Sequence, residues 1–111
     1  EGVAVVKELV KEFDIVIEQF RPGVMDRLGV GYEALRAVNP RVIFCSITGY
    51  GQTGPYKDRA GHDLNYLSIA GITSYNGRVE SGPAPINVQV ADVAGGSYHA
   101  VMAVLAAVVQ R

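Results

Sequence analysis

A single cysteine, Cys45, leaves this 111-residue sequence with no internal disulfide framework. It sits within the apolar run "RVIFCSIT", Arg41 to Thr48, where a small thiol packs as a hydrophobe. Neither sign of charge dominates. Ten lysines and arginines stand against eleven aspartates and glutamates for a net charge of −1, so no global field draws the chain to nucleic acid or anionic lipid. Any anion site must be local. No uninterrupted apolar run reaches the roughly 20 residues of a membrane span. The longest, Ala100–Val109, covers about half that length and reads as a buried helix. A basic, apolar and small-residue succession is missing from the first residues, which makes the cytoplasm the default location. Repeats and low-complexity tracts are also lacking, and nothing calls for a metal site or a permanently bound cofactor.

What is there reads as one globular unit over residues 1–111: 49% of residues are hydrophobic and 19% charged, enough apolar surface to form a core. The sequence opens inside a helical pattern and closes on another, as a piece of a longer protein would. "GVAVVKELVKEF" spaces Val5, Leu9 and Phe13 helically. "DIVIEQF" follows as a short buried strand, bounded by Asp14 and Arg21-Pro22-Gly23. Pro22 suits the first position of a helix carrying Val24, Met25 and Leu28. Gly29 and Gly31 then break it from a second short helix with Tyr32, Leu35 and Val38. Asn39-Pro40 stops that helix, and "RVIFCSIT" gives a second strand. Helix, strand, helix and strand in alternation place the chain in the α/β class, with a parallel sheet and crossovers.

Beyond Thr48 a glycine-rich loop leads to a helix at "HDLNYLSIAG". A turn-rich connection, "YNGRVESGPAP", and a brief extended piece, "INVQV", precede a final helix from about Asp92 to Arg111. That helix is apolar almost all round and should be central to packing.

Four stretches carry candidate chemistry. Gly49-Tyr50-Gly51-Gln52-Thr53-Gly54 is a literal G-x-G-x-x-G after a strand, but no helix opens within it. Its glycines therefore argue for close backbone approach rather than a dinucleotide site. "EQFRPGVMDRLG" places Arg21 and Arg27 beside a turn and a helix start, where guanidinium forks and backbone N–H groups hold phosphate; the alternative is solvated surface charge. "VQVADVAGGSYHA" places Asp92 as a cap of the last helix, with Gly95 and Gly96 in its first turn. Each glycine costs about 1 kcal/mol relative to alanine, so a ligand or a second helix should need the space. His99, one turn on, reads as a packing or surface residue. In "AGHDLNY", His62 and Asp63 are either a helix start or a reactive centre.

Together, "IEQFRPGVMDRLGVGYEALRAVNPRVIFCSITGYGQTGPYKDRAGHDLNY" and "VADVAGG" resemble the family III CoA-transferases, the CaiB/BaiF superfamily, from Asp14 to Arg111. The "GHD" and "ADVAGG" forms are most similar to its α-methylacyl-CoA racemase branch, since transferases often carry an aromatic residue where His62 stands. The resemblance implies part of a Rossmann-like large domain whose first strands, small domain and distal catalytic loop lie elsewhere. The full enzyme would be a homodimer of interlocked rings. It implies an acyl-CoA thioester as substrate, with Gln19, Phe20 and Arg21 lining the coenzyme A site and Arg27 on its phosphates. Gly61, Asp63, Leu64, Asn65 and Tyr66 would lie beside the thioester. His62 and Asp92 would be the acid/base pair that racemises 2-methylacyl-CoA. In the transferase alternative Asp92 is instead the nucleophile that carries the acyl group. A further alternative is a non-catalytic dimerisation or scaffold segment.

Overall fold

The computed structural model describes residues 1–111. Its first half is one crossover unit. Helix α1 (Gly2–Leu9) leads to strand β1 (Ile15–Glu18), two short helices α2 (Val24–Arg27) and α3 (Tyr32–Arg36) follow, and the chain returns in β2 (Ile43–Ser46). The strands pair in parallel, Ile15 opposite Ile43 and Glu18 opposite Ser46, as the alternating pattern predicts. Both are shorter than the β-branched runs that contain them. Neither is fully buried: Ile15 and Ile17 are 39% and 58% exposed, because a two-stranded sheet covers neither of its own faces.

The core lies between α1, α3 and the entry to β2: Val10, Val30, Leu35 and Val42 are buried, with Val6, Val16, Met25, Val38 and Phe44 packed around them. The inward face of α1 thus differs from the one its spacing indicates. Val5, Leu9 and Phe13 point outward, each more than half exposed, and Val6 and Val10 carry the packing. Both sets fit a helical period, so periodicity alone does not choose between them. Asn39 ties the unit together: its side-chain amide donates to the Val10 carbonyl at 2.9 Å, and its Oδ1 accepts the Arg41 N–H at 3.0 Å.

Pro22 is not a helical residue. The Val24 N–H bonds the Arg21 carbonyl at 3.1 Å, and Gly23 takes φ +76° and ψ −2°. Arg21-Pro22-Gly23-Val24 is therefore a type II turn, with proline and glycine in the two positions that turn favours them. The break between α2 and α3 falls at Gly29, also at φ +76°.

The second half is more open. A loop over residues 47–62 leads to α4 (Asp63–Ile69), a 3₁₀ turn (Ile72–Tyr75) and a two-residue hairpin, β3 (Gly77–Arg78) with β4 (Gly82–Pro83). Residues 86–90 form no strand; a bend follows the hairpin, and the Val90 N–H turns back to the Val88 carbonyl at 3.0 Å. Edge partners, more than β-propensity, decide whether so short a run is extended.

The last helix also departs from expectation. It begins with a π-helical segment (Ala91–Tyr98) and continues as α5 (His99–Gln110). None of its residues is buried, although it packs against α4 and β2. Val101, Met102, Leu105 and Val109 are 52–88% exposed, so its apolar girdle faces outward in this chain. The twenty residues Ala91–Gln110 are long and apolar enough to cross a membrane by length and composition alone. The unbroken apolar run hides this because Gly95, Gly96, Ser97, Tyr98 and His99 precede it within the same helix.

Candidate functional site

The first turn of the last helix is held from α4. Oδ1 of Asp63 accepts the backbone N–H of Ala91 at 2.6 Å and of Asp92 at 3.0 Å. A helix leaves its first amides without internal partners, and a carboxylate supplies them with charge-assisted bonds. Asp92 is therefore not the cap of the helix. It lies within the first turn, and Asp63 performs the capping from another element. The amides of Ala91 and Asp92 are thus engaged within the protein, so they are not open donors for an anion.

His62 is the residue immediately before Asp63 and stands at the N-cap of α4, with extended backbone. Its own N–H donates to Asn65 Oδ1 at 2.9 Å. The helix start is a capping box, with the Asn65 side chain on the His62 N–H and the His62 side chain facing the Asn65 N–H in return, and the imidazole is committed to no ion pair. The half-buried Asp92 carboxylate makes none either. His62 and Asp92 are linked through one residue, Asp63, which neighbours the first in sequence and bonds the backbone of the second.

Behind them lies an aromatic wall. Tyr66, on the second turn of α4, donates its hydroxyl to the Gly61 carbonyl at 2.6 Å. Its ring meets Tyr50 edge-on at 5.2 Å, and Tyr50 meets Tyr56 at 5.7 Å, with the Arg59 guanidinium 4.2 Å above the Tyr56 ring. Burial, then the neighbouring Tyr50 and Asp92, push the Tyr66 phenol above its ordinary 10.0. A Cβ on Gly49 or on Gly61 would collide with the Tyr66 ring. Two of the loop's glycines thus make room for a tyrosine, and residues after Gly54 form turns instead of the helix a dinucleotide fingerprint requires.

The last helix is braced where it widens. Ser97 Oγ donates to the Asp92 carbonyl at 3.1 Å, and His99 Nδ1 pairs with the Ala94 carbonyl at 2.7 Å, each reaching back five residues. His99 is exposed, and its ring serves the backbone. π-Helical geometry is rare and is found frequently at functional sites. Of the two glycines there, Gly95 would carry a Cβ with nothing within 4 Å of it, and Gly96 one with only ordinary contacts to Ala91 and Ile47. The space beside Gly95 is open.

The other predicted residues gather at the end of β1. An open cleft of about 550 Å³ is lined by Glu18, Arg21, Gly23, Tyr32, Phe44 and Gln52, among others. Arg21 reaches this cleft, whereas Gln19, Phe20 and Arg27 do not line it. Phe20 is half exposed, and its N–H is taken by Glu18 Oε2 at 2.7 Å. Arg27 folds back to the type II turn, its Nη1 3.4 Å from where a Cβ on Gly23 would stand, so both arginines flank one turn without a carboxylate partner. Leu64 and Asn65 are exposed on the first turn of α4. No group of three or more His, Cys, Asp or Glu side chains converges in the way a metal ion needs.

Residue types alone do not indicate the bridge from Asp63 to Asp92 or the tyrosine wall. The one signal in the sequence is Gly49 and Gly61 flanking two tyrosines, an arrangement that only the folded loop explains.

The whole chain, residues 1–111, matches the family "CoA-transferase family III". It is 44% identical over 109 residues to the succinate–glutarate CoA-transferase of Agrobacterium fabrum, covering 98% of this chain and 27% of that protein. It is 41% identical over 111 residues to the human α-methylacyl-CoA racemase, covering 99% of this chain and 29% of the relative. Among solved structures, a CaiB/BaiF family protein from Brucella suis superposes with a TM-score of 0.91 at 44% identity, covering 99% of this chain and 29% of that one. The chain thus spans just over a quarter of the relatives it matches, with both transferases and a racemase among them, and its α/β crossover unit is part of their fold. With the match running from its first residue to its last, the chain belongs to CoA-transferase family III, the CaiB/BaiF family.

Proposed function

We propose that this chain supplies the acid/base centre of an acyl-CoA-processing enzyme that exchanges the α-proton of a 2-methylacyl-CoA thioester. The carrying observation is the link His62–Asp63–Asp92: the residue that follows His62 bonds the backbone amide of Asp92, and neither the imidazole nor the Asp92 carboxylate is held in an ion pair. A proton α to a thioester is weakly acidic. Racemisation needs one group to remove it, a site that stabilises the enolate, and a second group to return a proton on the opposite face. Imidazole and carboxylate suit those two roles. The open space beside Gly95 leaves room for the acyl group next to Asp92, and Arg21 and Arg27 suit the phosphates of coenzyme A. The full-length protein acts in this reading as a homodimer.

The second reading is CoA transfer between carboxylic acids, and the 44% identity to a succinate–glutarate CoA-transferase favours it. Asp92 is then the nucleophile: its carboxylate attacks the thioester carbonyl, the thiolate of CoA leaves, and an acyl–aspartyl anhydride forms. The thiolate then attacks the aspartyl carbonyl of the anhydride, releasing the donor carboxylate and leaving an aspartyl–CoA thioester. An acceptor carboxylate attacks that thioester to form a new anhydride, and returning thiolate yields the new acyl-CoA and regenerates Asp92.

Incubating the full-length enzyme with single-enantiomer 2-methylacyl-CoA in deuterated water, without an acceptor acid, separates the two. Exchange predicts deuterium at the α-carbon, scrambling of the centre, and loss of both in His62→Ala and Asp92→Asn. No incorporation, together with a hydroxylamine-sensitive adduct on Asp92, would replace racemisation with transfer.

A further inference from the structure

We infer that Asp63 is the positioning residue of this site, fixing the Asp92 backbone relative to His62 through two hydrogen bonds to the first amides of the last helix. The inference rests on the acid/base reading above and assigns a role that reading leaves open. Asp63 is the first residue of α4, where an acidic side chain ordinarily faces solvent or its own helix amides. Here Oδ1 reaches a segment 28 and 29 residues away and accepts from Ala91 at 2.6 Å and Asp92 at 3.0 Å. The receiving helix has no side-chain cap of its own, so these bonds are what satisfies its leading amides.

The consequence is a shared reference point. The imidazole of His62 hangs from the residue before Asp63, and the carboxylate of Asp92 from a residue whose amide is bonded to Asp63. The helix start that carries the imidazole is itself fixed by the His62 N–H bond to Asn65 and by the Tyr66 hydroxyl on Gly61. The segment carrying Asp92 needs an equivalent restraint because it is π-helical and includes two glycines, a backbone with weak local preference. A misplacement on the order of 1 Å can lower a rate about 100-fold, which gives one capping oxygen leverage on chemistry it does not touch.

Two other roles are open to a carboxylate here, proton transfer and coenzyme A binding, and three variants of the full-length enzyme separate them. Asp63→Asn keeps an acceptor oxygen but loses the charge; Asp63→Ala loses both. Positioning predicts that Asp63→Ala lowers kcat for α-proton exchange by about 100-fold with KM within about threefold, while Asp63→Asn stays within about tenfold of wild type. Hydrogen exchange at the amides of Ala91 and Asp92 should accelerate in Asp63→Ala and remain slow in Asp63→Asn. Should Asp63→Ala fail to fold, Asp63→Glu carries the test: it keeps the charge, misplaces the oxygen by one methylene, and should lose kcat with KM retained.

Asparagine as damaging as alanine would make the charge itself the requirement and overturn positioning. A raised KM with unchanged kcat would make Asp63 a binding residue and do the same. Unaltered amide exchange at residues 91 and 92 in Asp63→Ala would overturn the inference whatever the activity. Because that measurement needs no turnover, it remains decisive even if the enzyme proves to be a transferase and α-proton exchange is absent from the wild type.

Discussion

The hydroxyl of Tyr66 donates to the carbonyl of Gly61 at 2.6 Å, and so pins the backbone one residue before His62. Burial, Tyr50 and Asp92 all raise the Tyr66 phenol above its ordinary 10.0, which keeps it a donor across the working range. With the folded value above the unfolded one, the favourable contribution is complete below about pH 10 and is lost as pH rises through the folded value. Tyr66→Phe in the full-length enzyme should therefore lower stability by about 1 kcal/mol near neutral pH, the loss of one hydrogen bond. It should also reduce the alkaline loss of stability above pH 10. A melting-temperature profile from about pH 8 to 11 checks this; an identical alkaline limb in the mutant would remove Tyr66 from the account.

Two glycines in the same region should respond oppositely to alanine. At Gly49 an added Cβ collides with the Tyr66 ring, so Gly49→Ala should destabilise by about 1–3 kcal/mol, the range for overpacking. At Gly95 nothing lies within 4 Å, so Gly95→Ala should stabilise the helix by about 0.5–1 kcal/mol. If the acyl group uses that open space, the more stable variant should also have a higher KM. Denaturant melts and substrate titrations on the two mutants read both effects, and a destabilised Gly95→Ala would count against the open-space account.

The α/β class and the parallel pairing were legible because β-branched runs bounded by Asp14, Asn39-Pro40 and the glycines are local signals. Which face of α1 turns inward was not, since Val5, Leu9 and Phe13 fit the helical period as well as Val6 and Val10 do. The choice is made by α3 and β2, which periodicity within α1 does not see. At the site, residue types alone made Asp92 a cap, the ordinary role of an aspartate at a helix start. Asp63 takes that role from 29 residues away, a tertiary contact with no sequence spacing of its own.

Arg27 and Arg21 flank the type II turn without carboxylate partners, leaving their guanidinium groups available to phosphate. In the full-length enzyme, Arg27→Ala should weaken coenzyme A binding by about 1.5–3 kcal/mol, the range for a hydrogen bond to a charged group. Arg21, which reaches the cleft beside Gln52, should show a loss of similar size. Both effects should shrink as ionic strength rises, because exposed charges are screened. Calorimetry with coenzyme A and with its dephosphorylated analogue tests the assignment. Unchanged affinity in both mutants would return these arginines to ordinary surface charge.

The 111 residues on their own should self-associate. Only 6 of them are buried, and the radius of gyration is 17.4 Å, against about 13 Å for a compact domain of this length. Both strands of the parallel sheet have an open edge, and such edges pair with other chains. Along the last helix Val101, Met102, Leu105 and Val109 are each more than half exposed, an apolar surface that soluble monomers rarely present. Sedimentation velocity should show mass rising with concentration, and no α-proton exchange should accompany it. Replacing Val101 and Leu105 with lysine should shift the distribution toward monomer if the helix face drives association, whereas an unchanged distribution would leave the sheet edges as the cause. A wild-type chain that stays monomeric at tens of micromolar would show that neither surface is sticky enough to matter.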